Sequence, residues 1–163
     1  MTIHHILVVD DEPINLEIIK EFLSDDGYDL ELVESADIAW QRMQTTERRY
    51  DLLILDRMMP GMSGIDLLKI MKADARFSTT PVIMQTAACT QDQIREGIEA
   101  GAYYYLPKPY APETLSAIVR AALFDVDGRD AALQRVSAHV RAMEMLDQAT
   151  FRFRSLDQIG PLI

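Results

Sequence analysis

The sequence predicts an α/β fold, a doubly wound parallel sheet of five strands with five helices, on three observations. Short continuous apolar runs recur along the chain, as expected of strands buried on both faces. Between them lie stretches whose apolar residues repeat at three- and four-residue steps, as on one face of a helix. The alternation repeats five times within the first 124 of 163 residues, and successive strand-helix units wind into a single parallel sheet.

The elements follow in order. Ile6 to Val9 is the first apolar run, and Ile14, Ile18, Ile19 and Phe22 form the stripe of the first helix, with Pro13 at a favoured first-turn position. Tyr28 to Glu34 is the second strand, where Leu30 and Leu32 alternate with polar residues, and Leu52 to Leu55 is the third. Ser63-Gly64-Ile65-Asp66 has the spacing of a capping box and opens the helix that carries Leu67, Leu68 and Met71. Pro81 to Met84 is the fourth strand, followed by a second capping box at Thr90 to Gln93 and a helix with Ile94 and Ile98. Tyr103 to Leu106 is the fifth strand, and Pro112 opens a helix with Leu115, Ile118, Val119 and Ala122 on its inner stripe.

Composition narrows the function. The chain carries 16 basic against 26 acidic residues, a net charge of −10, and its first 124 residues hold 20 acids against 11 bases. Phosphate backbones and anionic membrane surfaces repel such a domain, so direct nucleic-acid or membrane binding is not expected, whereas small cations are natural ligands. The apolar runs are too short to cross a bilayer and the first residues lack a signal-peptide pattern, so the expected location is the cytoplasm. The single cysteine, Cys89, forms no internal disulfide, which fits a reducing compartment.

In a doubly wound sheet the ligand crevice lies beyond the carboxyl ends of the strands, so the residues just after each strand carry the information. There the sequence places Asp10, Asp11 and Glu12, then Asp56, then Thr86 and Ala87, then Lys108 and Pro109. Converging carboxylates repel one another, and a hard divalent cation such as Mg²⁺ relieves that repulsion while taking oxygen ligands. Cation and lysine together can surround a phosphoryl group, a threonine hydroxyl can bond to it, and Asp56 can attack in line to give an acyl phosphate. Taken singly, each residue has an ordinary explanation: an aspartate as a cap, a lysine in water, a threonine in a strand. Their joint arrival after the correct strands argues against those explanations.

The ordered motifs Asp10-Asp11, Asp56-Arg57-Met58-Met59-Pro60-Gly61-Met62-Ser63-Gly64, Thr86-Ala87, Gly101-Ala102 and Tyr105-Leu106-Pro107-Lys108-Pro109 resemble the receiver domain of two-component response regulators over residues 3 to about 124. The resemblance implies a flavodoxin-like sheet of order 2-1-3-4-5. It also implies that Asp56 accepts a phosphoryl group from a histidine kinase or phosphotransfer histidine. Asp10, Asp11, Asp56 and the Met58 backbone carbonyl would hold Mg²⁺, or Mn²⁺ in its place. Lys108 would pair with the phosphoryl group, the backbone of Ala87 and Arg57 would bind it, and Thr86 and Tyr105 would form the switch. Pro109 would follow a cis peptide bond. Pro60-Gly61 signals a turn, and Gly64 permits close backbone approach under Asp56.

Other readings were weighed on particular residues. A hydrolase with an aspartate nucleophile wants a second aspartate two residues on, where Met58 stands, and a dinucleotide enzyme wants a glycine-rich turn after the first strand. A receiver-like docking scaffold that is never phosphorylated would usually lack the acidic pair, the acceptor or the lysine. The chain is therefore read as a signalling module that catalyses only its own phosphorylation and dephosphorylation, not as an enzyme with a turnover substrate. Tyr103 and Tyr104 stand where family members often carry acids. Either they enrich a partner surface on the face of the fourth helix, fifth strand and fifth helix, or one ring packs inward and the other lies on the surface.

The receiver is expected to occupy 1–124, followed by a linker or signalling helix over 125–149. Leu133, Val136, Val140, Met143 and Leu146 form its stripe, which suits either a homodimer through 129–148 or docking back on the domain. Residues 150–163 read as the start of a truncated output domain or a disordered tail. Thr150 to Leu156 alternates like a strand with weak similarity to the first strand of histidine-kinase-like ATPase domains.

Overall fold

The computed structural model describes residues 3–87 and 90–127. Cys89 and everything from Gly128 onward, including the expected linker helix and output strand, lie outside the described residues.

Five strands form one wholly parallel sheet: β1 (His5–Val9), β2 (Asp29–Val33), β3 (Leu52–Asp56), β4 (Val82–Thr86) and β5 (Tyr104–Pro107), in the order β2-β1-β3-β4-β5. The helices are α1 (Pro13–Phe22), α2 (Ala36–Thr45), α3 (Gly64–Ala73), α4 (Gln91–Glu99) and α5 (Pro112–Asp127). Period-two alternation divides each strand between two cores. Leu7, Val9, Leu53, Leu55, Val82 and Met84 face α2, α3 and α4, while Ile6, Val8, Leu52, Ile54 and Ile83 face α1 and α5. Burial on both sides explains why β1, β3 and β4 read as unbroken apolar runs. The edge strand β2 is mostly half-exposed, hence its alternation with acids.

The helix starts follow the sequence. Pro13 and Pro112 are the first residues of α1 and α5. Ser63 with Asp66, and Thr90 with Gln93, make reciprocal capping boxes at α3 and α4. The stripe of α1 follows only in part: Ile19 and Phe22 pack on the core as read, Ile14 and Ile18 do not. Leu16, Ile19 and Leu23 are buried, whereas Ile14 and Ile18 are 67% and 41% exposed. The apolar surface of α1 is wider than the face the sheet covers, so the stripe read from Ile14 and Ile18 is the outer one.

Helix α5 continues through Asp127, three residues past the expected end of the domain at Phe124. Asp125-Val126-Asp127 is polar enough to read as a break, yet Asp125 is buried and accepts a 2.6 Å hydrogen bond from the Tyr103 hydroxyl. Asp127 lies 3.1 Å from His4 Nε2. Among the described residues, no helix is long and apolar enough to cross a membrane.

Candidate functional site at the carboxyl ends of the strands

The winding reverses between β1 and β3, and the crevice opens there. Asp10 and Asp11 follow β1, Asp56 ends β3, Thr86 ends β4 and Lys108 follows β5. The backbone amide of Asp10 still donates to Val33 at 3.2 Å, so its side chain is held where the ladder ends. Its Oδ1 accepts from the Glu12 amide at 2.9 Å and from the Asn15 amide group at 3.4 Å. Asp10 is fully buried and Asp56 nearly so. Asp10, Asp11 and Asp56 each bring a carboxylate oxygen within 4.8 Å of the others.

Lys108 Nζ lies 3.2 Å from Asp10 Oδ2 and 3.8 Å from Asp56 Oδ1. One ammonium thus pairs with two of the three clustered carboxylates, which leaves the pocket with surplus negative charge. Burial pushes the Asp56 carboxyl from the ordinary 3.8 up to about 6. Lys108 opposes that rise, Asp10 adds to it, a hydrogen bond from the Met58 backbone opposes it, and Asp11 adds to it. A cluster of hard oxygen donors with one cation too few suits Mg²⁺ or Mn²⁺.

The loop after Asp56 is shaped as its residues require. Gly61 has φ +75°, in the left-handed region. Gly64 donates its amide to the Arg57 carbonyl at 3.0 Å, and a Cβ on it would stand 2.1 Å from the Asp56 carbonyl oxygen. The Lys108-Pro109 peptide bond is cis. Thr86 is buried at the end of its strand and Ala87 is exposed.

One expected role changes. The backbone amide of Arg57 donates to the Gln85 carbonyl at 3.0 Å, because the ladder between β3 and β4 runs one residue past Asp56. That amide is spent, and the amide facing the Asp56 carboxylate is that of Met58. The Met58 side chain is exposed at the mouth. Tyr105 is buried, with its hydroxyl accepting from Arg57 Nη1 at 3.2 Å. Of its neighbours in sequence, Tyr103 packs in the core beneath α1 and α5, and Tyr104 lies half-buried beside it.

Sequence reasoning missed three groups. The Arg57 side chain bridges to α4, and an arginine standing directly after Asp56 was the available signal. Gln85 is fully buried, accepts a hydrogen bond from the Tyr110 hydroxyl, and its amide nitrogen has no partner among the described residues. Nothing in its own strand pattern marks it. Beside Lys108 an apolar groove of about 350 Å³ is lined by Ile18, Phe22, Pro109 and Tyr110 among others, and here the exposed stripe of α1 was the signal.

Fold and crevice together define a class: flavodoxin-like domains that carry an acidic cluster and one lysine at the carboxyl ends of a parallel sheet. Residues 6–120 match the response regulator receiver domain, and the chain belongs to that family of two-component systems. It is 39% identical over 118 residues to the DNA-binding response regulator MtrA of Mycolicibacterium smegmatis, covering 72% of this chain and 50% of the relative. It is 36% identical over 147 residues to the response regulator Rre1 of Synechocystis, covering 85% of this chain and 62% of the relative. The chain thus spans about half to three fifths of the length of these curated relatives. Among solved structures, a putative response regulator from Chloroflexus aurantiacus superposes with a TM-score of 0.71 at 32% identity, covering 76% of this chain and 99% of that one. The chemotaxis response regulator CheY4 of Vibrio cholerae gives 0.68 at 30% identity, covering 74% and 99%.

Proposed function

We propose that the chain is a phosphoryl-accepting switch: Asp56 takes a phosphoryl group from a phosphohistidine on a histidine kinase or phosphotransfer protein. The observation that carries this reading is the placement of Lys108 Nζ between Asp10 and Asp56, at 3.2 and 3.8 Å, in a pocket whose three carboxylates outnumber their cation. Such a pocket is poised for added positive charge and for a phosphoryl group that brings a cation with it.

Asp56 reacts as its carboxylate, the form that Lys108 beside it favours against the burial that pushes its carboxyl up. Its oxygen attacks phosphorus, the bond from phosphorus to the donor imidazole breaks, and the electron pair leaves with the ring nitrogen. Lys108 turns from the carboxylates to the charge on the phosphoryl oxygens. In this reading the Met58 amide, which already bonds to Asp56, and the Ala87 amide donate to the same oxygens, and the Thr86 hydroxyl closes on them. Asp10, Asp11 and Asp56 would hold Mg²⁺ with the Met58 carbonyl, and the bound ion supplies charge neutralisation for the transfer. The chemistry ends on the protein itself, so no turnover substrate is assigned.

The donor approaches over α1. Ile14 and Ile18 stand exposed beside a groove that Lys108 itself lines, so an apolar partner surface docked there brings its histidine to the mouth of the crevice. Output is proposed to pass through the face of α4, β5 and α5 to a partner, a second copy or a fused domain. MtrA is a DNA-binding response regulator, while the acidity of this domain points to protein partners.

Intact mass after incubation with acetyl phosphate and Mg²⁺ tests the proposal. The wild type is expected to gain one phosphoryl group and Asp56→Asn none. A wild type that gains none would leave docking without phosphorylation as the better reading.

A further inference from the structure

Helix α4 is lightly held. Of its nine residues only Ile94 and Gly97 are buried, and beneath Gly97 the Tyr105 ring lies so close that a Cβ there would come within 2.6 Å of it. A second hold on α4 comes from Arg57, the residue next to Asp56. Its backbone is clamped at both ends, the amide on Gln85 and the carbonyl on Gly64, each at 3.0 Å. Its side chain, only 11% exposed, forks. Nη1 donates to the Gln93 carbonyl at 3.0 Å and to the Tyr105 hydroxyl at 3.2 Å, and Nη2 donates to Glu96 at 2.8 Å. The guanidinium carbon also stands 5.9 Å from the centroid of the Tyr105 ring.

We propose that Arg57 is a positioning residue whose guanidinium fastens α4 and Tyr105 to the acceptor segment, so that a change at Asp56 moves all three together. The part concerning a change at Asp56 rests on the proposed phosphoryl acceptance; the fastening does not. Three acceptors on two elements are met by one planar fork, which a lysine ammonium on its flexible stem does not reproduce. The charge is held mostly out of water, so removing it leaves the Tyr105 hydroxyl and Glu96 without their shared donor. Because the Arg57 backbone cannot slide independently of Asp56, any shift of that backbone is delivered to the first turns of α4 and to the ring of Tyr105.

Hydrogen exchange by mass spectrometry on the full chain tests this, reading peptides across 90–100 and 102–107. Without phosphoryl donor, Arg57→Met is expected to speed exchange in α4 at least about tenfold, and Arg57→Lys by a smaller factor. If Arg57→Met fails to fold, Glu96→Gln and Tyr105→Phe each remove one acceptor, and each is expected to speed α4 exchange about two- to fivefold. Exchange within error of wild type in every folded variant overturns the fastening.

The second arm adds acetyl phosphate and Mg²⁺, with phosphoryl occupancy of each sample read by intact mass. Wild type is expected to change its α4 exchange per phosphorylated molecule, and Arg57→Lys to lose at least half of that change. A full response in Arg57→Lys overturns the coupling. A wild type that takes no phosphoryl group overturns the functional reading instead, and the donor-free arm still decides the fastening.

Discussion

Replacing Asp56 with asparagine removes a charge that the crevice holds at a cost, so the variant should be more stable than the wild type when no divalent cation is present. The carboxyl is pushed from 3.8 to about 6, chiefly by burial. Each tenfold change in proton affinity corresponds to about 1.4 kcal/mol, which gives a ceiling of about 3 kcal/mol for the ionised form. The mouth of the crevice is open to water, and screening reduces this to about 1–2 kcal/mol. For a domain of this size that is a rise in Tm of about 4–8 °C. Because the folded value lies above the unfolded one, the proton-linked stability of the wild type is fully present below pH 3.8 and is lost as pH rises through about 6. The advantage of Asp56→Asn should therefore be largest above pH 7 and vanish near pH 4. Thermal unfolding in EDTA at pH 7.5 and at pH 4 measures both ends. In about 10 mM MgCl₂ the gap should narrow, because the wild type binds the cation more tightly than the variant. A variant no more stable than wild type at pH 7.5 in EDTA, or one whose advantage persists at pH 4, refutes the reasoning.

Other perturbations have equally definite outcomes. Gly64→Ala drives a methyl group to 2.1 Å from the Asp56 carbonyl oxygen, a backbone atom that cannot step aside, and should cost about 3 kcal/mol in urea unfolding. Tyr103→Phe leaves the buried Asp125 carboxylate without its donor and should cost about 1–3 kcal/mol, with exchange fastest at the end of α5; a loss below about 0.5 kcal/mol would show that the bond does not hold the helix end. Ile14→Asp combined with Ile18→Asp should slow phosphoryl transfer from a phosphohistidine protein more than tenfold while leaving acetyl phosphate uptake within about threefold, since only the protein donor needs the apolar face. Equal slowing with both donors would place the defect in the crevice.

What was legible follows from how local each signal is. The five strands could be read because β1, β3 and β4 are buried on both faces, and unbroken apolar runs such as Leu52 to Leu55 have no other common use. The helix starts could be read because a capping box is a four-residue event, complete in Thr90 to Gln93 without help from the fold. The crevice aspartates could be read because the end of a strand is a place that topology makes meaningful. Failures came where the outcome depends on a distant partner. Ile14 and Ile18 keep helical spacing as well as Leu16 and Ile19 do, and only the placement of the sheet decides which side is covered. Asp125 has the look of a helix end until Tyr103, 22 residues earlier, supplies its donor. The Arg57 amide was expected at the site because the residue follows Asp56, but the ladder to Gln85 runs two residues past the apolar run that marks the strand.

The acidity of the domain and the light attachment of α4 belong to one physical scheme. A crevice gathered from Asp10, Asp11 and Asp56 around a single ammonium is held against its own repulsion by the strands that end there. Any ligand that supplies positive charge therefore binds with the energy of that repulsion released, in addition to its own contacts. That energy can shift a conformational equilibrium only if some element sits close to balance, because a ligand moves two states apart by no more than its differential affinity for them. Helix α4, with two buried residues and a polar tether to the segment beside Asp56, meets that condition far better than α3, whose buried face includes Ile65, Leu67, Leu68 and Met71. A few kcal/mol gained in the crevice is small against the packing of α3 and comparable with the bonds that Arg57 makes to α4. The response should accordingly be confined to α4, β5 and the start of α5. The sheet and the helices on its other face should exchange their amides at the same rates in the phosphorylated and unphosphorylated protein.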